Sequence, residues 1–252
     1  MSDADREQPF ISHLIELRTR LVRIVVGIGL MFAVLSPLSN PIYSALAGPL
    51  TRHMPAQSSM IAIDVLSPFL TPLKFTLILA VFITIPWILY QAWAFVAPGL
   101  YQREKRMVLP ILTSSTLLFY CGMAFAYFLI MPIFFTFITA TAPEGVAVMT
   151  DINRYLDFVM MLFFAFGVAF EVPVATVILS LAGILSPETM AAKRSYVIVG
   201  VFVIGMLLMP DVISQTMLAV PMWLLFEAGI LISRLLLRRR DAARATASTG
   251  ES

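Results

Sequence analysis

The chain has 252 residues, of which 60% are hydrophobic and only 13% charged, against roughly 45 to 50% and 25% in soluble domains. Together with a mean hydropathy of +0.91, this excludes a soluble globular fold and points to a membrane. One cysteine, Cys121, and two histidines are too few to close an intramolecular disulfide or to assemble a zinc or haem site, so neither metal nor cofactor is expected. The net charge of +2 is small, no nucleic-acid partner is expected, and only the distribution of charge along the chain is informative.

In chain order, a polar, acidic start leads into His13-Leu-Ile-Glu-Leu-Arg-Thr-Arg20, which reads as an amphipathic helix feeding the first apolar run. That run is too long, and lacks the small-residue cleavage site, for a removed signal peptide. A bilayer core about 30 Å thick needs roughly 20 apolar helical residues, and residues 21–38, 73–93, 107–131 and 156–181 supply four such spans. A fifth run, 196–232, is too long for one helix, and Pro210-Asp211 interrupts it with a ring that removes a donor and a charge that avoids lipid. It divides into 196–209 and 213–232, and the first piece covers only ~21 Å at 1.5 Å per residue. The expected fold is therefore an all-α integral membrane protein of six transmembrane helices, the last two forming a short hairpin. Residues 1–234 form one membrane domain, and 235–252 a basic, then disordered, tail.

Charge supports the same topology. With both termini cytoplasmic, the 17 lysines and arginines divide 14 to 3 in favour of the inside, only Arg52, Lys74 and Arg154 lying outside. Five spans would put the cluster from Arg234 to Arg240 on the wrong side. The first outer loop, 39–72, carries Pro41, Pro49, Pro55, Pro68 and Pro72, and its length suits a structured cap.

Few residues can carry chemistry. Glu171 lies well inside the fourth span, where a charge costs at least ~2.5 to 3.5 kcal/mol. It is either a packed, hydrogen-bonded carboxyl or a polar spot facing a cavity or partner, and Pro173 beside it favours the cavity. Glu227 reads as a structural partner of Arg234, seven residues on along the same face. Gln215 could join helices through its amide. On spacing alone Glu16 and Arg20 form an i, i+4 pair, Glu104 is a solvated loop charge among Arg103, Lys105 and Arg106, and Trp93 and Phe95 are interface anchors. No protease, phosphate-loop or nucleophile-elbow motif is present, so no enzyme is expected. A proton- or ion-coupled small-solute transporter, with Glu171 as coupling site, is the competing reading.

Several stretches resemble the TatC family, the large polytopic subunits of the twin-arginine protein translocase. They are His13-Leu-Ile-Glu-Leu-Arg18, Ala62-Ile-Asp-Val-Leu-Ser-Pro-Phe-Leu-Thr-Pro72, Tyr90-Gln-Ala-Trp-Ala-Phe-Val-Ala-Pro98, Gly122-Met-Ala-Phe-Ala-Tyr127, Phe166-Gly-Val-Ala-Phe-Glu-Val-Pro173 and Gly205-Met-Leu-Leu208. The resemblance implies a multi-pass protein of the bacterial cytoplasmic membrane. It would receive folded precursors bearing twin-arginine signal peptides and export them with the proton-motive force, within a multimer containing TatA-like and TatB-like single-span subunits. By position it implies that Glu16, Arg18, Phe95 and Glu104 form the signal-peptide surface and that Glu171 is an intramembrane polar site. It also implies that Met206 and Gln215 contact partner helices, and that Pro49, Asp64, Ser67 and Pro68 belong to the outer cap. Where the family usually has Thr-Pro-Pro-Asp at the hairpin tip, this chain has Met209-Pro-Asp211.

The charge split makes a direct prediction. In a Cys121→Ser background, cysteines at Gln57 and Gly145 react with an impermeant thiol reagent added outside intact cells, and one at Gln102 does not. Labelling of position 102 from outside would overturn the topology.

Overall fold

The computed structural model describes residues 3–44, 60–61, 66–96, 105–141, 150–208 and 212–249. Pro49, Asp64, Glu104 and the hairpin tip 209–211 lie outside the described residues. The helices are α1 (Asp3–Leu35), α2 (Ser67–Val96), α3 (Lys105–Phe125), α4 (Met131–Thr141), α5 (Ile152–Phe170), α6 (Val172–Leu181), α7 (Pro187–Ala192), α8 (Arg194–Leu208) and α9 (Val212–Thr249), with a π-turn at Ala126–Ile130. Two strands of two residues, β1 (Met60–Ile61) and β2 (Thr150–Asp151), pair in parallel and join the first outer loop to the segment between the third and fourth predicted spans. Five helices, at Ile11–Ser44, Ser67–Val96, Val108–Thr136, Asn153–Leu181 and Leu218–Arg238, are long and apolar enough to cross a membrane, while Arg194–Val203 is shorter.

α1 passes unbroken from the amphipathic segment into the first span. At the other end, α9 runs on to Thr249, through residues expected to be a disordered tail. Ala242, Ala243, Ala245 and Ala247 are the reason, since alanine has the highest helix propensity and nothing there stops the helix.

The described chain forms two compact units, the first made of Met1–Pro98 and Met131–Met160 and the second of Gly99–Ile130 and Met161–Ser252. In the first, α1 lies along α2. A Cβ on Gly27 would sit 3.0 Å from Trp87 Cδ1, and the Trp87 indole donates to the Arg23 carbonyl at 3.2 Å. The remaining faces of α1 are apolar and exposed, Leu30 by 66% and Val34 by 69%, which suits hydrocarbon and not water. At the far end of α2, Asn153 of α5 accepts from the Thr71 hydroxyl and donates to Ser67 Oγ, and Lys74 pairs with Asp157. Asp151 caps α5 by accepting from the Asn153 N–H at 3.1 Å.

The second unit packs through glycine. A Cβ on Gly122 of α3 would run into the Phe166 carbonyl, and one on Gly167 would come 2.6 Å from the buried Phe119 ring. α5 gives way to α6 at Glu171, whose N–H bonds to the Val168 carbonyl at 3.0 Å. Pro173 brings no N–H to the ladder, yet Glu171 keeps helical angles (φ −75°, ψ −17°). The helix therefore tightens locally at Glu171 rather than breaking. α6 then meets α9 where Gly229 faces Thr176 and Pro173.

These contacts predict opposite outcomes for two glycines. Gly122→Ala meets backbone that cannot swing away and lowers stability by about 1 to 3 kcal/mol. Gly29→Ala, with nothing within 4 Å, is neutral or slightly stabilising. Thermal unfolding of the detergent-solubilised variants separates the two.

Candidate functional site

At the N-terminal end of the first unit, Arg20 holds Glu16 one helical turn away. Its Nε and Nη2 both donate to Glu16 Oε1, at 2.9 and 2.6 Å, so both bonds converge on one carboxylate oxygen. Nη1 reaches across to the Gln91 side-chain oxygen on α2 at 3.3 Å, and Gln91 is itself buried. One turn further along α2, the Phe95 ring stacks on His13 with centroids 4.3 Å apart. Residues 13, 16 and 20 on α1 thereby meet residues 91 and 95 on α2, each set at helical spacing. Glu16 and Phe95 therefore share one surface. Arg18 is exposed on α1, about 200° around the helix from Glu16 at 100° per residue.

In the second unit, Glu171 is buried and accepts a hydrogen bond from the Ser115 hydroxyl of α3. An apolar groove begins two residues on, at Pro173, but Glu171 does not line it. On the hairpin, the Gln215 amide donates to the Phe202 carbonyl, and Gly205 leaves room for it, since a Cβ there would be 2.8 Å from Gln215 Cγ. Gln215 thus ties α8 to α9, whereas Met206 is 72% exposed. Glu227 pairs with Arg194 across the same hairpin in a two-point fork, one bond of which is 2.7 Å. The expected partner, Arg234, lies instead 3.9 Å from Glu188. Residues seven apart on a helix are ~10.5 Å apart along its axis, and the neighbouring helix offers a closer partner. Ser67 is buried and bonded to Asn153, while Pro68 is exposed.

Residues 12–221 match the family described as Sec-independent protein translocase protein (TatC). The chain belongs to the TatC family. It is 55% identical over 235 residues to the TatC of Haemophilus influenzae, covering 93% of this chain and 92% of that one. It is 56% identical over 228 residues to the TatC of Escherichia coli K12, covering 90% and 88%. A crystal structure of a twin-arginine translocase receptor, TatC, superposes with a TM-score of 0.78 at 35% identity over 88% of this chain and 98% of that one. A TatC protein is a membrane subunit of a translocase and not an enzyme, and the competing reading as a solute transporter finds no support.

Sequence reasoning missed the residues that position the TatC candidates. Gln91, Asn153 and Ser115 are small or neutral polar residues whose partners are 71, 82 and 56 positions away in the chain. Spacing along one helix cannot reveal such pairs. The one available signal was the Gln91 amide near the end of the second span, since Ser115 is one of four consecutive hydroxyl residues, Thr113 to Thr116.

Substitution of Glu171 separates a functional from a packing role. Glu171→Gln keeps a hydrogen-bonding group beside Ser115, so it inserts normally and retains part of precursor export. Glu171→Leu accumulates in the membrane at least as well as the parent yet exports several-fold less. Full export by the leucine variant, at equal protein level, would reduce Glu171 to a packing residue.

Proposed function

We propose that this chain is the signal-peptide receptor and core subunit of a twin-arginine translocase, exporting folded proteins across a bacterial cytoplasmic membrane at the expense of the proton-motive force. The observation that carries this reading beyond family membership is the surface built by Glu16, Arg20, Gln91, His13 and Phe95. It offers a carboxylate beside a stacked aromatic pair, the chemistry suited to a planar guanidinium. Glu104 supplies a second carboxylate for the second arginine of the signal, and Arg18, on the opposite face of α1, enters the recognition region by the family resemblance and not through the Glu16–Phe95 surface.

Six spans with both termini cytoplasmic agree with the 14 to 3 division of basic residues, and α8 is the short fifth span, 15 residues long. Single-span TatA-like and TatB-like subunits contact the hairpin, with exposed Met206 as the side chain best able to touch them and Gln215 fixing the hairpin beneath it. Pro49, Asp64, Ser67 and Pro68 cap the outer end, and Asn153 strengthens the cap by binding Ser67 and Thr71. Glu171 is the intramembrane polar site, and several receptor complexes assemble into the working multimer.

The test is binding of a twin-arginine signal peptide to the purified chain. Replacing both arginines of the peptide by lysine removes the planar fork and should weaken binding at least tenfold, about 1.4 kcal/mol. Glu104→Lys or Glu16→Lys turns attraction into repulsion and costs more than the corresponding glutamine variant. Equal binding by the charge-reversed proteins would refute the receptor assignment for those residues.

A further inference from the structure

Arg20 carries the same chemical group that the receptor surface is suited to read. Its guanidinium puts two bonds on Glu16 Oε1, at 2.9 and 2.6 Å, and a third on the Gln91 side-chain oxygen at 3.3 Å. Resting on the receptor reading, we propose that Arg20 is a built-in occupant of the first arginine site. It yields Glu16 to an arriving signal, stays on Gln91 while the signal is bound, and retakes the carboxylate to release it.

An ordinary pair of charges four apart on a helix surface leaves both side chains in solvent and contributes little. This pair differs. The Arg20 side chain is only 18% exposed, half as much as that of Glu16 at 36%, and it reaches across to α2, where Gln91 is buried. Residues of two helices thus enclose a guanidinium of the chain's own.

The same geometry makes that occupant displaceable. A guanidinium side by side with a carboxylate places one bond on each oxygen, which is the strongest arrangement. Arg20 instead places both on Oε1, and among the described residues nothing donates to Oε2. An arginine on a separate chain is not obliged to approach from one helical turn away, so it can form the two-oxygen fork that Arg20 does not. Gln91 lowers the cost of the exchange. Its resting bond to Arg20 is long, and a guanidinium released from Glu16 can close on it. Tethered one turn from Glu16, Arg20 returns at high effective concentration, so its main effect is on how fast a bound signal leaves.

The test is the dissociation of a labelled twin-arginine signal peptide from the full chain in nanodiscs. Arg20→Lys keeps the positive charge but replaces the three-nitrogen reach with one ammonium, and it should slow dissociation roughly threefold. Arg20→Gln, with no charge to compete, should slow it further, to about tenfold. The lysine variant keeps the test open should the glutamine variant destabilise the chain. Gln91→Leu acts in the opposite direction, weakening binding about twofold by removing the bond that receives Arg20. That loss should vanish in the Arg20→Gln background, because Gln91 acts through Arg20. Gln91→Met, closer in shape, gives the same reading should leucine fold poorly. Weaker binding by Arg20 variants that unfold at the parent's temperature would overturn the inference, making Arg20 a support that orients Glu16. Parent-like dissociation from Arg20→Lys would also overturn it, reducing Arg20 to a charge. Equal binding of twin-lysine and twin-arginine peptides by the unmodified chain would instead overturn the receptor reading, and this inference with it.

Discussion

Inside hydrocarbon a polar side chain has only protein to bond to, and this protein meets that constraint in two ways. Some short hydroxyls turn back onto their own helix, as Thr76 does to Pro72, Thr84 to Ala80, Ser180 to Thr176 and Ser233 to Gly229, each at 2.6 to 2.8 Å. Longer amides, carboxylates and guanidinium groups reach a neighbouring helix: Gln91 to Arg20, Asn153 to Ser67 and Thr71, Glu171 to Ser115, Glu227 to Arg194. The first kind lowers the cost of having polar atoms in the span. The second kind sets which helices are neighbours, and the residues suited to recognition belong to it or stand beside it.

Apolar contact alone could not do this. Lipid tails are as apolar as leucine, so helices gain by close packing and not by escaping solvent. That explains why glycines mark the tightest contacts of the second unit. Gly122 admits the Phe166 backbone, Gly167 the Phe119 ring, Gly205 the Gln215 stem and Gly229 the Thr176 side chain. Each lets two helices approach until their side chains or backbones touch. At Gly205 the approach also carries a polar link, since Gln215 bonds Phe202 there, and the short α8 is held to α9 by this bond and by the Arg194–Glu227 fork.

Much of the architecture was legible because span length and charge asymmetry are properties of single segments. The long apolar runs and the shortness of α8 follow from counting residues against bilayer thickness. The i, i+4 pair of Glu16 and Arg20 follows from helical spacing and is present. What spacing could not give is contact between segments. Glu171 was conspicuous because a carboxylate in lipid is costly, but its partner is a serine, and serine is too common in spans to be singled out. Glu227 was matched to Arg234 on its own helix because only the chain's order was available, and Arg194 took it from across a hairpin. Asn153 lay in a stretch read as loop, and its role depends on the β1–β2 pairing and on the start of α5, neither of which has a periodic signature over so few residues. The helical extension to Thr249 was obscured by a polar composition that suggests disorder even where alanine content suggests helix.

On the proposed reading, the Glu16 geometry bears on how a signal with two arginines could be told from one with lysines. Glu16 already holds a guanidinium, so an incoming arginine at Oε1 exchanges one charge-assisted pair for another and gains less than the ~1.5 to 3 kcal/mol of a new one. The displaced Arg20 keeps its bond to Gln91, which makes the exchange cheaper than breaking an isolated pair. A lysine ammonium would make the same exchange without the planar fork, and it is more strongly hydrated, so its balance turns unfavourable first. A small gain at Glu16 cannot by itself supply selectivity. Discrimination by this surface requires a second carboxylate that reads the neighbouring arginine at the same time, because two modest preferences multiply in the binding constant where one would leave the two peptides nearly equal.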